Sequence, residues 1–183
     1  RDVPRAQGLD VMARRVGVFG GAFDPPHVAD AALAREAVDQ LALDELRIFP
    51  TGDAWHKSRP PSPAQHRLAM ALLAFADLPR VVVDDRELRR AGPTYTVDTL
   101  RELQAEQPHA QLFLIMGEDQ AAALTTWHEW ETVVSLAVIA VAGRAATPGE
   151  MRSALAPRVR FQPLVLPAMP AGGTASGGDG GSG

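Results

Sequence analysis

The sequence predicts an α/β domain of the doubly wound kind: a mostly parallel sheet with helices on both faces. Three observations predict it. Six short runs rich in apolar and β-branched residues recur along the chain. They are apolar without alternation, as strands buried on both faces must be. Between several of them lie helix-length segments whose apolar residues fall three and four apart.

The expected strands cover residues 15–20, 45–50, 80–84, 111–117, 136–142 and 159–166. The first helix, 28–41, is alanine-rich and places Val28, Ala31, Ala32, Val38 and Leu41 at helical spacing. A second, 63–76, follows Ser62 as N-cap with Pro63 at its first position, where the missing proline N–H costs nothing. A third covers 96–107. Thr147-Pro148-Gly149-Glu150 reads as a capping box opening a short helix between the last two strands. In a doubly wound sheet, ligands bind beyond the carboxyl ends of the strands, so the loops after each strand are where chemistry belongs.

With 183 residues and 46% hydrophobic content, the chain suits one core. The expected domain is 14–170, with an N-terminal extension over 1–13. Residues 171–183 form a tail, and its last twelve residues, from Gly172, hold seven glycines, so little apolar surface is available to offset the entropy of ordering them. The charge of -4, from 18 basic and 22 acidic residues, is too mild for a general nucleic-acid or membrane-surface binder. Cysteine is absent, which removes disulfides, thiolate metal sites and cysteine nucleophiles and makes the cytoplasm the default location. Apolar runs are strand-sized, and residues 1–14 lack the apolar centre of a signal peptide. Neither a membrane nor a nucleic acid is an expected partner, and the chain is expected to be a monomer or homodimer.

The turn after the first strand is Gly20-Gly21-Ala22-Phe23-Asp24-Pro25-Pro26-His27, running into the first helix. Paired glycines let backbone approach a ligand closely, and the helix start adds free N–H groups and partial positive charge that favour phosphate. Neither Gly-x-Gly-x-x-Gly nor a loop ending in Gly-Lys-Ser/Thr is present. Taken alone, a Gly-Gly pair could equally be a tight turn with no ligand, and His27 a surface or capping histidine.

The ordered set resembles the Gly-Gly-x-Phe-Asp-Pro-x-His-x-x-His signature of the nucleotidyltransferase superfamily. Over residues 14–170 the chain is similar to bacterial nicotinate mononucleotide adenylyltransferases. Pro93-Thr94-Tyr95-Thr96, Thr99-Leu100, Gly117-Glu118-Asp119 and Trp127-His128-Glu129-Trp130 follow in the family's order. The resemblance implies a Rossmann-like nucleotidyltransferase fold and transfer of AMP from ATP to nicotinate mononucleotide, with release of pyrophosphate and Mg2+ carried on the ATP phosphates. It implies that Gly20, Gly21, Ala22, Phe23 and His27 meet ATP, with Gly117 and Asp119 at its ribose and adenine. A carboxylate accepting two hydroxyl hydrogen bonds suits a ribose diol. Thr94 and Tyr95 would receive the nicotinate carboxylate, and Trp127 would stack on the pyridine ring while Trp130 packs in the core. A plain N-cap by Thr94 or Thr96 is compatible with the same loop.

In Pro50 to Arg59, the loop after the second strand, Lys57 is a candidate point charge for phosphate, beside His56, with Arg59 more plausibly on a solvated surface. His66 and Arg67 read as capping or bracing the second helix. Arg144, after the fifth strand, could reach the phosphates from the rim. Two departures from the family pattern stand out. Asp30 occupies the position of the second signature histidine, and residues three apart share a helix face, so a carboxylate would sit where the family places a donor for the α-phosphate. The Ser-x-Thr-x-x-Arg segment expected after the last strand is missing, and no arginine follows Arg160. Two other readings therefore stay open: a degenerate nucleotide-binding homologue with weak turnover, and transfer to another phosphorylated acceptor such as phosphopantetheine.

Overall fold

The computed structural model of the chain describes residues 13–51, 62–143 and 159–166. Six parallel strands form one sheet in the order β3-β2-β1-β4-β5-β6. They are β1 Arg15–Gly21, β2 Glu45–Pro50, β3 Val81–Val83, β4 Gln111–Gly117, β5 Ala137–Gly143 and β6 Phe161–Val165. Every expected strand is present within a residue or two, and all the pairings are parallel. The helices are α1 Val28–Gln40, α2 Ala64–Phe75, α3 Arg86–Arg89, α4 Thr96–Glu106, α5 Glu118–Ala122 and α6 Trp130–Leu136.

The continuous apolar runs work as expected, because successive strand residues go to opposite faces and both faces are covered. In β4, Leu112, Leu114 and Met116 join a cluster with Val97, Leu100 and Leu103 of α4 and Val133 and Val134 of α6. Phe113 and Ile115 join the opposite cluster, with Ala34 and Ala37 of α1 and Ala71 and Phe75 of α2. One pair of helices therefore covers the face opposite α4, α5 and α6. Gly17 in β1 faces Leu43 and Leu46, and an added Cβ would stand 2.6 Å from Leu43; a larger residue there would force this core apart.

The sheet order reverses direction between β1 and β4. That is the switch point at which a doubly wound sheet opens a crevice beyond its carboxyl ends. The turn leaving β1 and the short helix α5 after β4 both border it.

Some expectations shift. The N-cap of α2 is Pro63 rather than Ser62. The N-cap of α4 is Tyr95, with no side-chain cap, so neither Thr94 nor Thr96 plays that part. Leu136 closes α6 instead of opening β5. Helices α3, α5 and α6 and the 3-10 turn at Leu124–Thr126 were not expected, since runs of three to seven residues are too short to show a helical period. The helix expected after Thr147 and the tail from Ala171 lie outside the described residues.

Candidate active site

Gly20 and Gly21 end β1, in register with Phe49 and Pro50 of β2. Gly21 is glycine for a steric reason, since a Cβ there would lie 3.2 Å from the Phe23 ring. Phe23 itself has φ 48, a left-handed conformation that a bulky side chain adopts only when its surroundings hold it. Those surroundings are Phe19 and Phe75, each edge-on to Phe23 with ring centroids 5.6 Å away. The side chain of Phe23 thus anchors the loop in the core, and only its backbone is left for the crevice. Asp24 accepts the Ser62 N–H at 2.9 Å, tying the first loop to the start of α2.

His27 is the exposed N-cap of α1. Asp30 turns its carboxylate back and accepts the His27 N–H at 2.7 Å. This is the reciprocal half of a capping box. The side chain is therefore committed to the helix start, a structural use that its place in the motif did not suggest.

Arg67, buried at 2% exposure, donates to the carbonyls of Thr51 at 2.5 Å and Ser62 at 3.0 Å. It braces the two residues that flank the segment carrying Lys57, Thr51 and Ser62, a wider role than bracing α2 alone. Lys57, His56 and Arg59 lie outside the described residues, and so does Arg144.

A cavity of about 230 Å³ opens at the switch point, lined among others by Gly20, Gly21, Phe49, Thr94 and Trp127. A second recess of about 220 Å³ shares Thr94, Thr96 and Trp127 and adds Tyr95 and His128. Tyr95 and His128 stack with centroids 4.1 Å apart and planes 24° from parallel. His128 lies 3.3 Å from Glu129, which in turn pairs with Arg101 at 2.7 Å. The structure thus gathers Gly20, Gly21, Thr94, Tyr95 and Trp127. Trp130 packs against the core cluster without lining either hollow, whereas Trp127 does both.

Gly117 and Asp119 sit at the start of α5, outside the cavity lining. The Gly117 N–H is already taken by Gln120 Oε1 at 3.0 Å. A larger hollow of about 460 Å³, lined by Arg35, Asp39 and Arg80, lies at the amino ends of β2 and β3, away from every motif residue.

Among the residues that line the cavity, Glu87 and Gln120 were not singled out in the sequence, and Thr99 was quoted there only as part of a motif. Glu87 stands in Arg86-Glu87-Leu88-Arg89-Arg90, a charge run of the kind that usually marks a solvated face. Its signal was the lone acid among arginines. Arg86 pairs with Glu106 and Arg90 with Glu102 of α4, and Arg90 also donates to Thr99, while Glu87 lies in the interior at 7% exposure. Burial pushes its carboxyl above the ordinary range, outweighing the Thr99 hydrogen bond and the Arg90 charge.

A cytidylyltransferase-like family model matches residues 18–170. The chain belongs to this family. It is 59% identical over 159 residues, 85% of this chain and 80% of the relative, to the "Probable nicotinate-nucleotide adenylyltransferase" of Albidiferax ferrireducens. It is 44% identical over 163 residues, 88% of this chain and 77% of the relative, to the protein of the same name from Methylibium petroleiphilum. The likeness drawn from the loop motifs is borne out by these relatives. A Plasmodium falciparum nicotinic acid mononucleotide adenylyltransferase, solved in complex with NaAD, matches 86% of this chain and 77% of its own at a TM-score of 0.70 and 16% identity, which establishes the Rossmann-like fold.

Nucleotidyltransferases generally use a divalent metal with ATP. Among the described residues no group of three or more histidine or acidic side chains is placed to hold one. Among the same residues no helix is long and apolar enough to cross a membrane.

Proposed function

We propose that this chain transfers AMP from ATP to nicotinate mononucleotide, yielding deamido-NAD and pyrophosphate, in the cytoplasm. The observation that carries this is the cavity joining the Gly20-Gly21 turn to Thr94 and Trp127, with the Thr94 hydroxyl buried on its wall and without a hydrogen-bond partner among the described residues. A buried hydroxyl without a partner is costly, and a ligand oxygen would satisfy it.

The phosphate of the mononucleotide attacks the α-phosphorus in line. A new phosphorus–oxygen bond forms, the bond from the α-phosphorus to the bridging oxygen breaks, and pyrophosphate leaves. The protein forms no covalent intermediate, so its contribution is positioning and charge stabilisation. The backbone of residues 20–23 approaches the ATP phosphates, His27 donates to the α-phosphate, and Lys57 and Arg144 supply positive charge. Gly117 and Asp119 mark the ribose side. Thr94 and Tyr95 hold the ring substituent while Trp127 stacks on the ring. Mg2+ on the phosphates would neutralise charge there.

The test is pyrophosphate release with ATP and nicotinate mononucleotide together, compared with each alone. Release that requires both supports the reading; binding of both without release replaces it with a nucleotide-binding protein. Asp30 favours that second reading, because its carboxylate is spent on the helix start and gives the phosphates no donor. An Asp30→His change that raises turnover tenfold or more would assign the deficit to this position.

A further inference from the structure

The hollow at the amino ends of β2 and β3 takes no part in the chemistry above. Its volume, about 460 Å³, falls within the roughly 300–1,000 Å³ of sites that hold a whole small ligand. Val38, Leu78 and Val81 form its apolar floor, each half-buried and packed against the core cluster beneath. Arg35 and Asp39, one turn apart on α1, and Arg80, just before β3, stand exposed around that floor.

The polar groups are placed but not used up. The Leu46 N–H donates to the Arg80 carbonyl at 2.8 Å, and the Arg80 guanidinium donates to the Leu43 carbonyl at 3.2 Å. Arg80 is thus held by backbone and side chain, in a left-handed conformation with φ 69 that such a residue adopts only where its surroundings hold it. Most of its five N–H donors remain available. The side chains of Arg35 and Asp39 make no hydrogen bond or ion pair among the described residues.

We propose that this hollow binds a nucleotide, at a site separate from the catalytic crevice. Two guanidiniums offer a phosphate forked, charge-assisted donors. A bare anion would meet the Asp39 carboxylate, so the ligand must carry donors as well, and a ribose diol supplies two. The apolar floor takes a flat, weakly hydrated group, the base. Phosphate, hydroxyls and base together describe a phosphorylated nucleoside. The site stands independently of the acceptor reading, since none of its lining residues borders the crevice.

The test is a titration of the isotope-labelled whole chain with AMP, followed by backbone amide chemical shifts. Amides of residues 35–42 and 78–81 are expected to shift together and saturate, at an affinity roughly tenfold or more above that for inorganic phosphate or adenosine alone. Shifts at Gly20, Gly21 and Gly117 report separately on the crevice. Arg35→Gln, at an exposed side chain with no partner to lose, should keep the fold and weaken AMP at the hollow about tenfold, the scale of one charge-assisted contact. Asp39→Ala should weaken adenosine and tighten phosphate. Shifts confined to the crevice, or an affinity at the hollow unchanged in Arg35→Gln, overturn the proposal. Phosphate binding as tightly as AMP makes the hollow an anion site and overturns the nucleotide assignment.

Discussion

The turn leaving β1 and the wall formed by residues 84–99 face one cavity, yet they are built on different terms. The turn is backbone-led: two glycines, a strained Phe23 held by its ring, and an exposed His27 at a helix start. The wall is side-chain-led, with buried Glu87 and Thr99 and a half-buried Thr94 whose Oγ1 is buried. A backbone-led site needs particular residue types in a fixed order, which makes it a motif. A side-chain-led site needs only that a few polar groups converge in space. The first suits a ligand part common to many reactions, a phosphate chain; the second suits the part that distinguishes one acceptor from another.

The largest expected effect breaks the first region without touching the fold. His27 is exposed and packs against nothing in the core, so His27→Ala should leave thermal unfolding within a degree or two. If it donates to the α-phosphate, kcat should fall by roughly 10²–10³, the cost of removing one preorganised donor. A loss below fivefold in steady-state pyrophosphate release would show that the turn binds without stabilising the reacting charge.

Arg67 sharpens the contrast from the other direction, because it has no place in the chemistry. Arg67→Met keeps the aliphatic bulk but leaves the carbonyls of Thr51 and Ser62 without their donor. Unsatisfied buried groups cost about 1–3 kcal/mol each, so urea unfolding should register a loss of roughly 2–3 kcal/mol. An unchanged midpoint would mean water replaces the guanidinium.

Trp127→Ala tests the acceptor wall. Loss of a stacked ring should raise the KM for nicotinate mononucleotide about tenfold, on the order of 1.4 kcal/mol. The KM for ATP should stay within twofold. Equal effects on both would make Trp127 a packing residue like Trp130.

The sheet was legible in the sequence because strands buried on both faces leave uninterrupted apolar runs, and because glycine and proline punctuate them. The Gly20-to-His27 turn was legible for the reason already given. Glu87 was not, because its meaning depends on Arg86 and Arg90 finding Glu102 and Glu106 on a helix some 15 residues further along the chain, a pairing no local pattern announces. Asp30 was visible as a departure from the signature, but its hydrogen bond to the helix start was not: the spacing from His27 that places both residues on one helix face also suits a cap. Likewise Phe23 belongs to the signature, yet its ring serves the core.

The smallest expected effect separates two carboxylates three residues apart. Burial alone would raise Asp84, but hydrogen bonds from Arg86 and Arg47 outweigh it and hold its carboxyl below the ordinary range. The unfolded chain then binds more protons than the native one, so the stability Asp84 contributes is present above its unfolded pKa and is lost as pH falls through the folded value. Glu87 is shifted upward, so the native state holds the extra proton. Its contribution is present below the unfolded pKa of about 4.5 and declines as pH rises through the folded value. Partial solvent screening should keep each slope within about 1 kcal/mol across its window. Chemical unfolding of Asp84→Asn should show the acid-side loss diminished, and Glu87→Gln should show the decline on the higher-pH side removed. Slopes of the same sign in both would mean that Glu87 is paired like Asp84, and that the cavity wall is ordinary structure.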